Sequence, residues 1–497
     1  MSFESTRTSK LAIVEETVEG TPIAPSGGSE FINLQPDWEF APEFASISNE
    51  EISGSIGVSK PILGLESPTV SGSHYLRANS EGVAPSYNLI LKSLMGIETV
   101  NSTERTTDAG STVSQVELAA GGTDFSRGFA VLLKDAANGY SVRNISSVAT
   151  NSLLLAQNLA DAPASGVTCG KNINYTPNDT GIPLSLWHYS ADGGAVQMVS
   201  GAKVSEGTID IVAAELINAS YSFVAQKYYY DPIEITSSFI SIDFDDGSGE
   251  ENASIAAGMY TDPKELASAI QAAMNALTAD NITVTYSDST GKFTFTSDGS
   301  TFELLFSSGT NTATTIATKV GFTVADQTAA LTYTSASAQD WSAPYTPVVE
   351  SVDPLIAKHH EMILGDSDQI SCFPASNISV SISKDPVNVL SICADSGKSA
   401  SLFNVRAVAI EIQAYMSRHD VDKFDKYKNN TTIAWTYNAG KKTAGNWDAG
   451  SIVNLHTPKA VISSLTPIID VDGIVGMNMT LTAFVDSGNP EFYINLL

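Results

Sequence analysis

Residues 184–189 read LSLWHY and residues 432–437 read TIAWTY. Both runs alternate apolar and polar side chains and end in Trp-x-Tyr, and Trp187 and Trp435 stand 248 positions apart, half of a 497-residue chain. A chain that repeats one unit must build two similar cores, so the first question is whether the recurrence extends beyond these two motifs.

It does. The first hundred residues hold a strand-like FINLQPDWEF and then EISGSIGVSKPILGLESPTVSGSHYL, two alternating runs around a Gly/Pro/Ser centre from Gly57 to Gly64. A short helix follows, with Pro85 near its start, Leu89, Ile90, Leu91 and Leu94 on one side, and Gly96 as its stop. LSLWHY comes later, then a meander through GAVQMVSGAKV, GTIDIVAAEL and NASYSFVAQ. From about residue 341 the order returns: a looped hairpin in NISVSISKDPVNVLSICADSGKSASLF, the alternating NVRAVAIEIQAYMS, a short polar helix starting at Asp420, TIAWTY, and a final pair in KAVISSLTPIID and GMNMTLTAFV. The last strands share Phe-Val, at Phe223-Val224 and Phe484-Val485. Trp187, Tyr189 and Phe223 are therefore expected in the core of one copy, and Trp435, Tyr437 and Phe484 in the core of the other.

Two segments stand outside this order. GFAVLLKD, YSVRNISSV and NSLLLAQNL are short strands between Asn-Gly and Thr-Asn turns, a small β-barrel inserted in a loop. In TDPKELASAIQAAMNALT, Asp262 is an N-cap, Pro263 the first helical residue and Glu265 the partner in a capping box, with Leu266, Ile270, Met274 and Leu277 on one face. In the hairpin that follows, Ile282, Val284 and Tyr286 answer Phe293 and Phe295. The chain thus reads as mainly β: tandem duplicated β-sandwich domains with short flanking helices, plus an inserted small β-barrel and an inserted α+β module. The boundaries are 1–98 with 181–232 for the first sandwich, 99–180 for the barrel, 233–340 for the α+β module and 341–497 for the second sandwich.

Composition narrows the function. Only 16% of residues are charged against 42% apolar, and 55 acidic against 26 basic side chains give a formal charge of −29, which repels phosphates and anionic membranes. DNA gripping is disfavoured, while a surface past which DNA slides stays open. Cys169, Cys372 and Cys393 form no CxxC pair, so neither a disulfide framework nor a zinc site is indicated. The polar MSFESTRTSK and the lack of any run of about 18 apolar residues point to a chain made and kept in a cytoplasm-like space without a membrane anchor.

Catalysis finds little support. His74, His188, His359, His360, His419 and His456 show no HExxH spacing, and no Gly-x-Ser-x-Gly elbow, Walker loop or GxGxxG stands at a strand-to-helix turn. Asp243, Asp245, Asp246, Glu250 and Glu251 could offer oxygen ligands to calcium, but they lack the full loop spacing and read as a solvated acidic turn, as do Asp470, Asp472 and Gly473. No cofactor is expected. A duplicated β unit with a long Gly/Pro/Ser hairpin instead offers sheet edges and a protruding arm, both of which demand neighbours, and a closed ring supplies them.

SKLAIVEETVEGTP, FINLQPDWEF, NEEISGSIGVSKPILGLE and RHDVDKFDKYKNN resemble the major tail tube proteins of siphophages, most closely those of chi-like phages. The resemblance implies rings that stack into a hollow, non-contractile tube through which genomic DNA passes without specific binding, in a virion assembled in the host cytoplasm. It implies a tape measure protein and tail terminator and tip proteins as partners. Two fused tube domains per chain would make a pseudo-hexameric ring from three chains, with true hexamers as the alternative, and both inserted modules would decorate the outside. Contacts between rings or subunits would fall on the hairpin loops, at Ile56, Val58, Pro61, Ile62 and Leu63 in the first copy and Pro386, Val387, Val389 and Leu390 in the second. A decoration protein or adhesin binding a host surface is the other reading, and a carbohydrate-active enzyme a third.

Overall fold

The computed structural model describes residues 8–49, 60–190, 194–348, 350, 352–358, 360–365, 374–394, 396–416, 421–471 and 473–497. The architecture is mainly β. The first half contributes β1 (Lys10–Glu15), β2 (Glu39–Ala41), β3 (Phe44–Ile47), β4 (Ile62–Glu66), β5 (Thr69–Tyr75), α1 (Asn88–Met95), β6 (Gly96–Asn101), β7 (Asn172–Pro177), β8 (Leu184–Tyr189), β9 (Val196–Val212), β10 (Asn218–Val224) and β11 (Lys227–Tyr230). After α2 (Pro263–Asn275), the second half contributes β12 (Glu361–Leu364), β13 (Ala375–Leu390), β14 (Lys398–Tyr415), α3 (Val421–Lys428), β15 (Ile433–Thr443), β16 (Asn446–Val471), β17 (Ile474–Ala483) and β18 (Tyr493–Leu496).

Six antiparallel pairings of the first half recur in the second. They are β1 with β8 and β12 with β15, β8 with β9 and β15 with β16, and β9 with β10 and β16 with β17. The remainder are β10 with β5 and β17 with β14, β5 with β2 and β14 with β13, and β9 with β11 and β16 with β18. Bulges fall at matching places, between Val204 and Glu206 in β9 and between Ile462 and Ser464 in β16. A bulge is a fixed feature of a ladder, so these two align the halves strand by strand.

That alignment corrects the Trp-x-Tyr match. The bulge that sets Leu184 and Leu186 against Ala202 and Val199 is the one that sets Ile433 and Trp435 against Ala460 and Thr457. Trp435 therefore occupies the place of Leu186, and Trp187 is one residue out of step. A single step turns a strand's side chains to the opposite face. Accordingly Leu186, Trp435 and Tyr437 lie in the large core between the sheets, whereas Trp187 and Tyr189 pack in a separate cluster with Ala12, Phe31, Met198 and Tyr229. Phe223, opposite Val204, corresponds to Leu481, opposite Ile462. Phe484 lies beyond the strand at 38% exposure and is not a core residue.

Strands β9 and β16 are long enough to serve two layers. Their first parts join outer sheets and their later parts an inner sheet, with the main core between. Helix α1 covers that core with Ile90, Leu91 and Leu94, and Gly96, at φ +104, ends it. A Cβ at Gly96 would meet Asn178 at 2.7 Å, so the turn requires glycine. In α2 the Asp262 side chain accepts from the amides of Lys264 and Glu265, but the Glu265 carboxylate accepts from Thr261 and not from the cap residue's own amide. The helix stops at Asn275, leaving Leu277 exposed, and the hairpin after it pairs Val284 with Phe295 and Tyr286 with Phe293. Its module has its own core.

Between β6 and β7, six short strands from Arg105 to Cys169 form a sheet whose ends meet through a Thr107–Leu118 bridge, around a core of Val131, Leu133, Ile145 and Leu153. β6 and β7 lie outside this sheet. They pair with each other, and β7 also pairs with β18 of the second half. No helix of the described residues is long and apolar enough to cross a membrane.

Candidate assembly interface

The inner sheet runs in the order β2, β5, β10, β9, β13, β14, β17, β16. Its middle is a join between the halves: β9 pairs with β13 over seven positions, from Glu206 opposite Ser383 to Val212 opposite Asn377. The Ala213 amide donates to the Ser376 carbonyl at 3.0 Å, and the Ser379 hydroxyl donates to Asp210 at 2.6 Å across the same join.

Both ends of this sheet are open among the described residues. β2 pairs only with β5, and β16 from Ile462 to Val471 pairs only with β17. These are the edges that the join occupies in the interior, since β2 corresponds to β13 and the later part of β16 to that of β9. An unpaired edge exposes a row of donors and acceptors and calls for a strand.

The sheet's two faces differ sharply. Ile209, Ile211, Tyr221, Phe223, Val380, Ile382, Ile410 and Leu481 point into the core. The alternate positions hold Ser71, Glu206, Thr208, Asp210, Ser220, Ser222, Ser379, Ser381, Glu411, Gln413, Asn478 and Thr480, without a lysine or arginine among them. Shallow depressions on this face are lined by Asp37, Ser71, Gly72 and Ser222 in one half, and by the matching Asn377, Glu411, Ile412 and Thr480 in the other.

The hairpin β13–β14 reaches back over the first half and is fastened there by buried lysines. Lys384 Nζ donates to the Ser93 carbonyl at 2.7 Å and sits over the Phe403 ring, and Lys398 Nζ donates to the Ala225 carbonyl at 2.5 Å. The Glu19 carboxylate joins Lys203 and the Ser401 amide. Burial, with Arg406 and Lys203 nearby, lowers the Lys384 ammonium to about 7.

Beyond these anchors both hairpins bare apolar side chains. Pro61, Ile62 and Leu63 are exposed in the first, and Pro386, Val387, Val389 and Leu390 in the second. Ile56 and Val58 lie outside the described residues. Phe44 and Ile47 beside the first group, and Ile392 and Leu402 beside the second, are exposed as well, as are Ile468, Ile474 and Val475 at the open end of β16 and β17. Sequence reading missed these, although the apolar IDVDGIV turn was a signal, because alternation alone does not say which strand lacks a neighbour.

Among the described residues no group of three His, Cys, Asp or Glu could hold a metal ion. Asp243 is buried and accepts from the Asn311 amide at 2.6 Å and the Asn252 side chain at 2.6 Å, which makes it a loop fastener. His360 bonds Tyr437, and His456 bonds Thr436 at 2.8 Å. Cys169 is buried and Cys393 exposed, both free; Cys372 and His359 lie outside the described residues.

No curated protein matches this sequence. A family model described as phage tail tube protein matches residues 6–237, a span that runs from just before β1 to just past β11 and so takes in the whole first set of seven paired strands with the barrel between them. Over residues 6–237, a little under half of its length, the chain is similar to phage tail tube proteins.

Proposed function

We propose that the chain is two fused tube units, 1–98 with 181–232 and 341–497, and that three chains close a ring of six units that stacks into the DNA-conducting tube. The carrying observation is the join of β9 with β13 beside two open edges of the same kinds. Whatever geometry holds the halves together inside the chain is available between chains, with the later part of β16 taking β2 of the next copy.

Width favours three chains. Eight inner strands per chain give 24 in a trimer, and at about 4.8 Å between strands and a tilt of roughly 40° the barrel is on the order of 50 Å across between backbones. That leaves room for a hydrated duplex, whereas six chains would double the bore. The face without lysine or arginine turns inward, where it repels the DNA backbone instead of binding it. The bared apolar hairpins meet the next ring, the barrel 99–180 and the module 233–340 stand outside, and tape measure, terminator and tip proteins bound the stack in the virion.

Negative-stain electron microscopy across a concentration series, with mass measurement of single rings, tests this. Hollow filaments and a ring mass of three times the 52.4 kDa chain are expected. A ring of six chains sinks the two-unit reading, and monomers at every concentration sink the tube.

A further inference from the structure

Resting on that three-chain reading, we infer that the ring has two unequal kinds of seam, and that the weaker one, between chains, has a defined register. The seam inside the chain is closed twice. Its inner part is β9 on β13. Its outer part is the β6–β7 hairpin of the first half, which adds β7 to β18 of the second, with Asn174 opposite Asn495. A buried amide ladder backs it: Asn495 donates to Asn454 at 2.7 Å, and Asn144 of the barrel donates to Asn454 at 2.9 Å. Lys384 and Lys398 fasten the same seam from the hairpin.

Between chains these additions have no counterpart among the described residues. Among the described residues, the stretch between β14 and β15 holds α3 where the first half holds the barrel and its β6–β7 hairpin, so the second half brings no strand to lie beside β11 of the next chain as β7 lies beside β18. The described arm β3–β4 has no lysine in either strand. The inner zip itself is also thinner. Carrying the join across, with Val204/Glu206 matched to Ile462/Ser464 and Phe40 to Val380, sets Leu465 opposite Pro42, Thr466 opposite Ala41 and Pro467 opposite Phe40 of the next chain.

Both prolines present their ring nitrogens to the seam. The Glu43 carbonyl accepts from Ser67 on the β5 side, so its neighbour Pro42 faces away. The Val475 carbonyl accepts from Met416, which puts Met477, opposite Pro467, on the β14 side and Pro467 on the open edge. Each proline removes one ladder donor, which also keeps an unassembled edge from pairing with an arbitrary strand.

Two measurements test this. In a Cys372→Ser, Cys393→Ser background, Ala41→Cys with Thr466→Cys should oxidise in assembled tubes to a ladder that ends at a covalent trimer. The template pair Thr208–Ser381 is not hydrogen-bonded across the join, the arrangement with the closest side chains. Ala41→Cys with Ser464→Cys, two positions out of register, should not cross-link, because its Cα atoms are over about 7 Å apart. Cross-linking of the second pair in place of the first, or of neither in well-formed tubes, overturns the register and leaves the ring. A ladder running to six chains, or monomers throughout, overturns the ring reading itself.

For the inequality, a protease site is placed at residues 344–346, in the exposed connection between the halves. The nicked halves should stay together in urea that has already dissolved the tubes. Halves that part at or below that concentration overturn it.

Discussion

The two halves of the inner sheet fill one hole in different ways. At matched positions the first half has Trp38 and Gly72, the second Ile378 and Ile412. A Cβ on Gly72 would fall 2.2 Å from the Trp38 ring, whose indole nitrogen donates to the Ser73 carbonyl at 3.0 Å. One half pairs a very large side chain with none; the other uses two of middle size. The helices differ similarly: α1 buries most of its length, while α3 is largely polar and exposed. Pairing and register are held in common, and volume is conserved in the sum without being conserved at any one position.

The largest effects should fall where the register, and not the motif, places a residue in the main core. Trp435→Ala is expected to cost about 3–5 kcal/mol in urea unfolding and Leu186→Ala about 2–5, with Trp187→Ala below both. Equal losses for the two tryptophans would undo the one-residue offset. Acid should weaken both halves alike. Burial lowers His74 to about 4 and His456 to about 3, so the unfolded chain binds the proton first. Stability is intact above the unfolded value of about 6.5 and falls as pH drops below it, by up to about 1.4 kcal/mol per pH unit for each histidine. His456→Asn should flatten urea-measured stability between pH 6.5 and 4, and an unchanged slope would clear this histidine of the effect.

Gly72→Ala should cost about 1–3 kcal/mol by overpacking against Trp38, and Trp38→Ile should relieve the clash. No relief in the double variant would show that the two sites do not trade volume. Smallest of all, Phe484→Ala should stay within about 0.5 kcal/mol of the parent, as an exposed residue does. Phe223→Ala, at its sequence look-alike, should cost about 3–5 kcal/mol.

Much of the architecture was legible from residues alone. Alternation located the later part of β14 in NVRAVAIEIQAYMS, and Asp262-Pro263 marked the start of α2. The order of elements showed that the second half reads like the first. What failed was register, because LSLWHY and TIAWTY share letters but are bulged one position apart, and local alternation carries no record of which residue faces which strand. The edge site was legible only in part. Exposed hairpin apolars announce themselves as Gly/Pro-flanked hydrophobics, but that β2 and β16 end up at the sheet's edges depends on the joins of β5 with β10 and β9 with β13, between residues more than a hundred positions apart.

The inner sheet's polar face holds Glu206, Asp210 and Glu411, and no ion pair among the described residues involves any of them. Their charge must be met by cations from solution, held loosely within roughly 10 Å at 0.1 M salt. A polyanion drawn along such a wall would move through a shared layer of mobile counterions that belongs to neither surface. The wall would then behave as an electrolyte bearing, whose drag answers to the valence of the surrounding salt more than to the sequence of the polyanion.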